Sequence, residues 1–569
     1  MSSYWVGAAK QDITTEIEGI GMVGWGIFGN TVKDVQSRLY ARAFVIKDDQ
    51  TNRKIALVTC DLAFITIGVR QHVLKKLADH PAKLNLTEQN VLLMANHTHS
   101  APGGYSHYPF YNLTVSGYCP EVFHKIVDGI AAAVIHADEN LKPGKIYFDT
   151  AEFAASDPIA FNRSVNAYNQ NPDAVKYDFA HRHLAVDREM QLLRFDAHDG
   201  TPIGCLNWFA VHTTTVHNDK HSISSDNKGH AADLFEQWML SGNQGGHQNF
   251  VAAFANGAAG DVSPNFKKHF GDNLWRGESR DDFENLKQHG SLQFEKARHI
   301  WQTGAKKAPL EVRVDALQAY VDFSNVEVDA IYTQNTANCK TGSAHIGIGF
   351  IGGTKEGPGT NALMVGILSV AEKIRQKINP SIDKKIQGNK ISIIDSVNHS
   401  ALGIKEFHKI PILPKIDPYI RSLARCSSNK SFGNQPLTPD ILPIQLVILG
   451  EIAIIAAPAE FTTVAGRRLK NTVQGILSNE NIKRVVFAGY ANAYSGYVTT
   501  FEEYQMQLYE GASTHFGQYT LPAYQTMFAW LATEAILNRF ERSHFTKIRP
   551  YEFTDTELEK RTYDPKNPY

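Results

Sequence analysis

The stretch KIALVTCDLAFITIGVRQHVLKKLADHPAKLNLTEQNVLLMANHTHSAPGG (residues 54–104) decides the fold class. Its first part, Lys54–Leu62, is an apolar run typical of a buried strand, and Val69–His80 has helical periodicity that stops before Pro81. A second apolar run, Val91–Ala95, follows. A strand, a helix and a strand in this order predict an α/β protein in which helices cover a sheet.

The same alternation continues along the rest of the chain. Further strand-length apolar runs lie at Arg38–Ile46, Pro202–His212, Asn249–Asn256 and Arg484–Tyr490, and Ile441–Glu460 divides into two strands near Gly450. Residues 385–439 are more polar and predict long loops. We find no repeat of a size that would indicate a solenoid or a propeller. We therefore predict an α/β fold with mixed β-sheets flanked by helices.

Composition restricts the class of protein. The 569-residue chain is 43% hydrophobic and 20% charged with a formal net charge of −1, so it lacks the basic surplus of a nucleic-acid-binding protein. Its five cysteines form no CxxC pair, which argues against a disulfide framework and a thiolate zinc site. The apolar stretch Ile441–Glu460 contains Pro443, Gly450 and Glu451, so no transmembrane segment is expected.

Two histidines stand two residues apart after the strand Val91–Ala95. If the backbone stays extended, His97 and His99 point to the same side. Such a pair beside a Pro-Gly-Gly turn fits a metal or proton-transfer site, and it equally fits two hydrogen-bonded loop histidines. The spacing alone leaves both interpretations open.

Residues able to bind metal follow four apolar strands, at His97, His212, Glu460 and the tyrosines Tyr494 and Tyr497. Functional groups gather beyond strand ends in sheets with helices on their faces. Two imidazoles and a carboxylate form a familiar catalytic zinc site. Taken alone, however, a histidine here could cap a core strand and a glutamate could be a surface carboxylate.

Ser263 lies in the small-residue loop NGAAGDVSPN (Asn256–Asn265). Glycines let the backbone approach a ligand, and a serine there can bind or attack a carbonyl, although an ordinary Ser-Pro turn is the alternative. A separate motif, GIGFIGG (Gly347–Gly353), matches GxGxxG, but no apolar strand precedes it. We therefore reject dinucleotide binding.

Taken together, these stretches resemble the neutral ceramidase family (neutral/alkaline non-lysosomal ceramidases). The resemblance extends from about Tyr4 to about Leu537. The motifs that carry it, in chain order, are NHTHSAPGG (96–104), AFNRS (160–164), NWFAVHTTT (207–215), SSDNKG (224–229), GDVSPN (260–265), PAEFTTVAGRRL (458–469) and NAYSGYVTTFEEYQMQLYEGAST (492–514).

The resemblance implies roles for individual residues. Four positions match the zinc ligands of the family, which implies one zinc ion per chain: His97, His212, Glu460 and Tyr497. His99 matches a histidine that exchanges protons with the substrate, and Ser263 matches the essential active-site serine. Arg163 and Tyr509 match polar residues near the scissile amide.

The resemblance also implies what the chain lacks. The family usually continues into an immunoglobulin-like C-terminal domain, which is expected to be absent here because little sequence follows Tyr509. We therefore assign residues 1–540 to the catalytic domain and 541–569 to a short C-terminal tail. Family-based inferences about membrane docking and a second metal are not carried over. The N-terminus MSSYWVGAAKQDITTE lacks the features of a signal peptide, whereas relatives are commonly secreted or cell-surface, so the compartment stays open.

The resemblance predicts a zinc-dependent amidohydrolase that cleaves ceramide to sphingosine and a fatty acid at a membrane or micelle surface. The alternatives are a zinc hydrolase of another N-acyl lipid and an inactive lipid-binding homologue. An amidohydrolase barrel is rejected because eight βα units cannot be counted. Ser263 could be an acyl nucleophile or a substrate-binding group; no base for it is visible in the sequence, which favours direct attack by water. The oligomeric state stays open.

Overall fold

The structure is a computed structural model, which describes residues 4–115, 117–241, 249–304, 306–359, 362–378, 382–404, 435–537 and 548–562. For residues 362–364, 377 and 378 it describes the backbone alone. Two β-sheets pack face to face, and helices cover their outer faces. The prediction of an α/β fold with mixed sheets flanked by helices is confirmed.

The larger described sheet contains the strands β1 (Tyr4–Asp12), β2 (Tyr40–Asp48), β3 (Lys54–Cys60), β4 (Val91–Ala95), β5 (Lys142–Glu152), β6 (Glu189–Ala197), β7 (Pro202–Phe209) and β8 (Val251–Asn256). Their spatial order is β8-β7-β6-β5-β1-β2-β3-β4. The pairs β3/β4 and β7/β8 are parallel, whereas the central pairs are antiparallel. The two parallel pairs therefore lie at opposite edges of one mixed sheet.

The smaller sheet contains β9 (Val314–Asp322), β10 (Ile441–Leu449), β11 (Ile452–Ala456) and β12 (Arg484–Ala488), in that spatial order. The predicted pair inside 441–460 is confirmed, with the turn at Gly450, whose φ is +58°. Side chains of β10 alternate: Val447 packs between the sheets, while Leu446 faces the helices. Because both faces are buried, the strands are apolar throughout.

The longer helices of the described chain are α1 (Ile67–Asp79), α2 (Pro120–Glu139), α3 (Asp226–Leu240), α4 (Asp282–Gly304), α5 (Ala362–Ile378), α6 (Thr463–Leu477) and α7 (Thr520–Ile536). Helices α1 to α4 cover the larger sheet and α6 and α7 cover the smaller one. The predicted helix at 69–80 corresponds to α1, which begins earlier because the Thr66 side chain accepts a hydrogen bond from Val69 N.

Short elements complete the description. The short strands are Met22–Gly24, Asp34–Val35, Ser100–Pro102, Phe161–Asn162, Ser222–Ile223, Val262–Ser263, Lys267–Lys268, Trp275–Arg276, His345–Gly347, Ser392–Asp395, Ser400–Ala401, Glu460–Phe461 and Tyr497–Val498. The short α-helices are Val165–Tyr168, Gly349–Gly352, Lys384–Gln387, Phe501–Gln505, Tyr509–Ala512 and Asp555–Glu559. The 3₁₀ turns are Pro109–Val115, Arg182–Leu184, Asn218–Lys220 and Ala330–Tyr332.

Some sequence expectations need correction or lie outside the description. The loop prediction for 385–439 is wrong for Ser392–Asp395 and Ser400–Ala401, which form a small sheet because Ile393 and Ile394 are buried in an apolar cluster. Residues 405–434, which include Cys426, lie outside the described residues. The other four cysteines are buried and free: Cys60, Cys119, Cys205 and Cys339.

The end of the described chain packs on the domain. Tyr118 N donates to Arg561 O at 2.7 Å, and Arg561 Nη1 donates to His107 O at 2.8 Å. The division into a domain of residues 1–540 and a tail stays a prediction. Across the described ranges, no helix combines the length and apolarity needed to cross a membrane.

Candidate active site and metal centre

The carboxyl ends of the parallel strands of both sheets meet at one place. Asn492 N, beyond β12, donates to Leu93 O of β4 at 2.8 Å, and Gly489 N donates to Asn256 O at the end of β8 at 3.3 Å. These bonds join the two sheets at their edges. The loops that follow the parallel strands therefore surround a common space.

The loop after β4 is held by Asn96. Its side-chain amide donates to Asp61 Oδ1 at 2.7 Å, and its Oδ1 accepts from Thr98 N at 3.1 Å. The φ of His97 is +76°, so the backbone does not stay extended through His97 and His99, and the condition for strand-like alternation is not met. The left-handed turn instead leaves the two Nε2 atoms 3.0 Å apart. The histidines are thus neighbours, but through a turn rather than through strand periodicity.

His212 and Glu460 reach the same space from other strands. His212 N donates to Val262 O at 3.0 Å, which fixes the loop after β7 against the serine loop. Glu460 begins a short strand that pairs in parallel with Tyr497–Val498. Both residues are buried, and the structure brings His97, His212, Glu460 and Tyr497 together.

Three hydrogen-bond acceptors converge at the centre of the site. His97 Nδ1 lies 2.6 Å from Ala63 O, and His212 Nδ1 lies 2.7 Å from Ala259 O, so we assign the ring proton to Nδ1 in both. Each Nε2 then carries a lone pair. These atoms lie 3.4 Å (His97) and 3.3 Å (His212) from Glu460 Oε2. Acceptors so close together repel one another unless a cation lies between them.

Two phenols hold the Glu460 carboxylate. Tyr494 donates a short hydrogen bond to Oε1, and Tyr490 donates to Oε2 at 3.2 Å. Although burial raises it, the pKa of Glu460 lies well below its usual range because, in the metal-free site, His97 and His212 stabilise the carboxylate when they carry a second proton on Nε2. Glu460 is therefore an anion within the protein interior.

Tyr497 lies next to this carboxylate and to Arg163. Burial and the Glu460 charge raise the pKa of Tyr497 well above its usual value, so without a metal its side chain is a neutral phenol. Arg163 Nη2 donates to the Tyr497 oxygen at 3.1 Å, which favours the phenolate. A bound dication would favour the phenolate further.

The donor set fits a metal ion. The ligand atoms of His97, His99 and His212 lie within 4.8 Å of one another, so this buried group could hold a metal. His212 Nε2 has no hydrogen-bond partner within the described structure, and the same holds for His99 Nδ1. Burial, His97 and His212 together lower the pKa of His99 well below its usual value. Neutral imidazoles beside a carboxylate are typical zinc ligands.

Two adjoining cavities, called here the two arms of the site cavity, open onto these residues, and His99, Tyr497 and Tyr509 border both of them. The apolar arm includes Phe28, Phe64, Phe110, Leu113, Phe350 and Ile394. The glycine-rich arm includes Gly24, Gly26, Gly353, Gly357 and Gly359, with the polar side chains of Arg163, Thr214 and Glu356. The cavity can therefore accept a molecule with a long apolar part and a polar part.

Comparison with known proteins identifies the family. Residues 4–399 and 426–526 match the family described as "Neutral/alkaline non-lysosomal ceramidase, N-terminal". The chain belongs to the neutral ceramidase family. The predicted resemblance is thus confirmed.

Relatives and solved structures of neutral ceramidases are similar over nearly the whole chain. "Neutral ceramidase" of Pseudomonas aeruginosa is 35% identical, with 93% of this chain and 72% of the relative covered. "Neutral ceramidase B" of Dictyostelium discoideum is 33% identical, with coverages of 94% and 73%. The solved structure "Ceramidase complexed with C2" superposes with a TM-score of 0.78 at 32% identity, covering 95% of this chain and 76% of that one.

Within this ceramidase fold, Arg163 connects several groups of the site. Its guanidinium donates to Glu510 Oε1 (2.8 Å), Glu356 Oε1 (2.8 Å), Gly260 O (2.9 Å) and the Tyr497 oxygen. Tyr509 lies beside Tyr497, with ring centroids 5.4 Å apart. Arg163 therefore positions Tyr497 as well as bordering the cavity.

The structure places Ser263 beside a carboxylate that the sequence analysis missed. Ser263 Oγ donates to Glu356 Oε2 at 2.5 Å. Glu356 follows the rejected motif GIGFIGG, whose last glycine, Gly353, borders the glycine-rich arm. The cluster of glycines in KEGPG (355–359) was the available signal. Tyr490 was also missed, because nothing in its local sequence indicates its contact with Glu460.

Proposed function

We propose that this chain hydrolyses the amide bond of ceramide, releasing sphingosine and a free fatty acid, and that one zinc ion per chain serves the reaction. The observation that carries the proposal is the convergence of His97 Nε2, His212 Nε2 and the Glu460 carboxylate beside an apolar cavity arm. Membership in the neutral ceramidase family supports the choice of substrate.

We assign the metal to His97, His212, Glu460 and Tyr497. The first three present the converging acceptors, and Tyr497 lies against Glu460 with Arg163 favouring its phenolate. When bound, zinc supplies a Lewis acid that polarises a carbonyl and lowers the pKa of water towards about 7. His99 is left out of this set because its proposed part is in proton transfer.

His99 holds and moves the proton in this proposal. Hydrolysis adds the oxygen of water to the carbonyl carbon and breaks the C–N bond, and a proton from water must end on the departing nitrogen. His99 lies where the two cavity arms meet, beside His97, and its low pKa keeps the imidazole neutral, with one ring nitrogen able to accept a proton. It can therefore accept that proton and pass it on, because an amine is a poor leaving group until it is protonated.

Tyr509 and Arg163 stabilise the negative charge that develops on the carbonyl oxygen. Tyr509 borders both arms of the cavity, and its high pKa, caused by burial, keeps its phenol protonated as a donor. Arg163 supplies positive charge near the carbonyl oxygen, while its guanidinium donates four hydrogen bonds to protein groups. Ser263 acts in this proposal as a hydrogen-bonding partner of Glu356 rather than as a nucleophile.

The substrate would be reached at a membrane or micelle surface, because ceramide has little solubility in water. An experiment should combine metal analysis of the purified protein with mass spectrometry of products from ceramide and from other N-acyl lipids. We expect sphingosine and fatty acid from ceramide. Preferred cleavage of another N-acyl lipid would replace the substrate assignment, and binding without cleavage of any lipid by zinc-loaded protein would indicate an inactive homologue.

A further inference from the structure

The glycine-rich arm has the carboxylate of Glu356 in its wall. Glu356 is 3% exposed, whereas Lys355 before it is exposed to solvent. The loop turns at Gly353, whose φ is +66°, and Gly357 N donates to Thr354 Oγ1 at 3.1 Å. This turn directs Glu356 inward, and the loop glycines Gly353, Gly357 and Gly359 border the same arm.

Donors surround the Glu356 carboxylate unevenly. Oε2 accepts from Ser263 Oγ (2.5 Å), Asn265 Nδ2 (2.9 Å) and Thr214 Oγ1 (3.3 Å), whereas Oε1 accepts from Arg163 Nη1 at 2.8 Å. A carboxylate oxygen can accept about two hydrogen bonds. Oε1 therefore keeps one acceptor position, and Glu356 borders the glycine-rich arm.

Ser263 is hydrogen-bonded to the Glu356 carboxylate. Its hydroxyl proton points to Glu356, and its oxygen accepts from Asn265 N at 2.9 Å. Ser263 is 1% exposed, and the described residues that border the two arms include Glu356 and Thr214 but not Ser263. The geometry therefore places Ser263 behind Glu356 as seen from the cavity.

Glu356 is a poor base for Ser263. Each of its four partners donates a hydrogen bond to the carboxylate, and Arg163 adds a positive charge. Although burial raises it, the pKa of Glu356 is about 2 because of Arg163, His212 and the hydrogen bonds from Ser263 and Asn265. These contacts therefore keep Glu356 as a carboxylate anion, and Glu356 is not arranged to remove the Ser263 proton.

We propose that Glu356 is a specificity-determining residue whose carboxylate accepts a hydrogen bond from a hydroxyl group of the sphingoid base, with Ser263 as the positioning residue that holds it. This inference rests on the proposed function. The sphingoid part of ceramide carries hydroxyls at C1 and C3, whereas a simple fatty acyl chain carries none. The glycine-rich arm would thus take the sphingoid head, and the apolar arm would take hydrocarbon.

The test compares kcat/KM for a short-chain ceramide and for its analogues lacking the C1 or the C3 hydroxyl. Glu356→Gln should lose about 10- to 100-fold on ceramide and less than about threefold on the analogue without the contacted hydroxyl, because a hydrogen bond to a charged group has that magnitude. The neighbouring control, Lys355→Met, should leave all three values unchanged. An equal loss by Glu356→Gln on all three substrates would overturn the proposal.

Ser263→Ala provides a second variant that keeps the carboxylate. We expect a smaller loss with the same substrate selectivity, and a double variant no worse than Glu356→Gln alone. Loss of turnover on all three substrates alike would overturn the positioning role of Ser263. If the wild-type protein cleaves no ceramide, the proposed function fails separately. The inference about Glu356 is then tested by measuring how tightly wild type and Glu356→Gln bind sphingosine and its deoxy analogues. If Glu356→Gln prefers sphingosine over the analogues as strongly as wild type does, the inference is overturned.

Discussion

At the residue scale, the protonation of two histidines determines what the site can bind. Backbone carbonyls of Ala63 and Ala259 accept from Nδ1 of His97 and His212, so both Nε2 lone pairs face Glu460. His99 differs, because its Nε2 contacts His97 and its Nδ1 has no hydrogen-bond partner within the described structure. The three histidines are adjacent, yet their ring nitrogens have different surroundings.

Replacing His212 and His99 separately distinguishes the roles proposed for them. His212→Ala should lose both zinc and activity, because it removes a ligand whose lone pair faces the carboxylate. His99→Ala should keep zinc near one per chain while kcat falls by about 100-fold or more, the usual contribution of a general acid or base. Elemental analysis and ceramide turnover measure both. Zinc retained by His212→Ala, or lost from His99→Ala, would contradict the assignment.

A second prediction at this scale concerns the phenol on Glu460. Tyr494→Phe removes the donor to Oε1 and should lower zinc affinity or activity by about 10- to 100-fold, as is usual for partners of metal ligands. Tyr111→Phe is the matched control, since its ring lies 5.2 Å from that of Tyr494 and its buried hydroxyl has no hydrogen-bond partner within the described structure. Equal effects of the two substitutions, measured by zinc-chelator competition, would be inconsistent with this role.

At the scale of elements, short strands complete the site. Met22–Gly24 pairs with Ser100–Pro102, which places Gly24 against His99. The φ of Gly24 is +119°, and a Cβ there would lie 2.5 Å from His99 Cγ. Glycine at this position therefore allows the imidazole its place beside the cavity.

Gly24→Ala should displace His99 and lower kcat/KM by about 100-fold, because a misplacement of about 1 Å can have that effect. Gly29→Ala is the control: its φ is also positive at +78°, nothing lies within 4 Å of the added Cβ, and Gly29 is not among the residues that border the two arms. Both variants share the backbone cost of a left-handed alanine. Comparable activity of the two variants would refute the importance of the His99 contact.

Elements were easier to predict than the contacts between them. The spacing of apolar residues located β3, α1 and β4 within a few residues, because the burial of one helix face or of a whole strand produces a local pattern of apolar residues. The turn at His97 was missed, since its φ of +76° depends on Asn96 contacts with Asp61, which is distant in sequence. Glu356 was missed for the same reason: its partners Arg163 and Ser263 lie far away along the chain.

At the scale of the whole molecule, the site contributes to stability as well as function. Glu356 has a pKa of about 2 against an ordinary value of 4.5, because Arg163, His212 and hydrogen bonds outweigh burial. A carboxyl whose pKa is lowered by folding stabilises the fold above its unfolded pKa and loses that contribution as the pH falls. The contribution is therefore full near pH 7 and declines between about pH 4.5 and 2.

Denaturant unfolding at several pH values tests this point. Glu356→Gln should be less stable than wild type by up to about 3 kcal/mol at pH 7, and the difference should shrink to about half or less by pH 3. Glu311→Gln provides a control substitution of a carboxylate that does not border the two arms. A difference between wild type and Glu356→Gln that stays constant from pH 7 to 3 would show that charge is not its source.

The central claim is that the converging acceptors of His97, His212 and Glu460 hold one zinc ion that ceramide hydrolysis requires. The most direct measurement titrates metal-free protein with zinc while sphingosine release from ceramide is followed. We predict activity near zero without metal, a linear rise and a sharp break at one zinc per chain. Full ceramide hydrolysis by protein shown to be free of metal, or activity that does not respond to added zinc, would contradict the account.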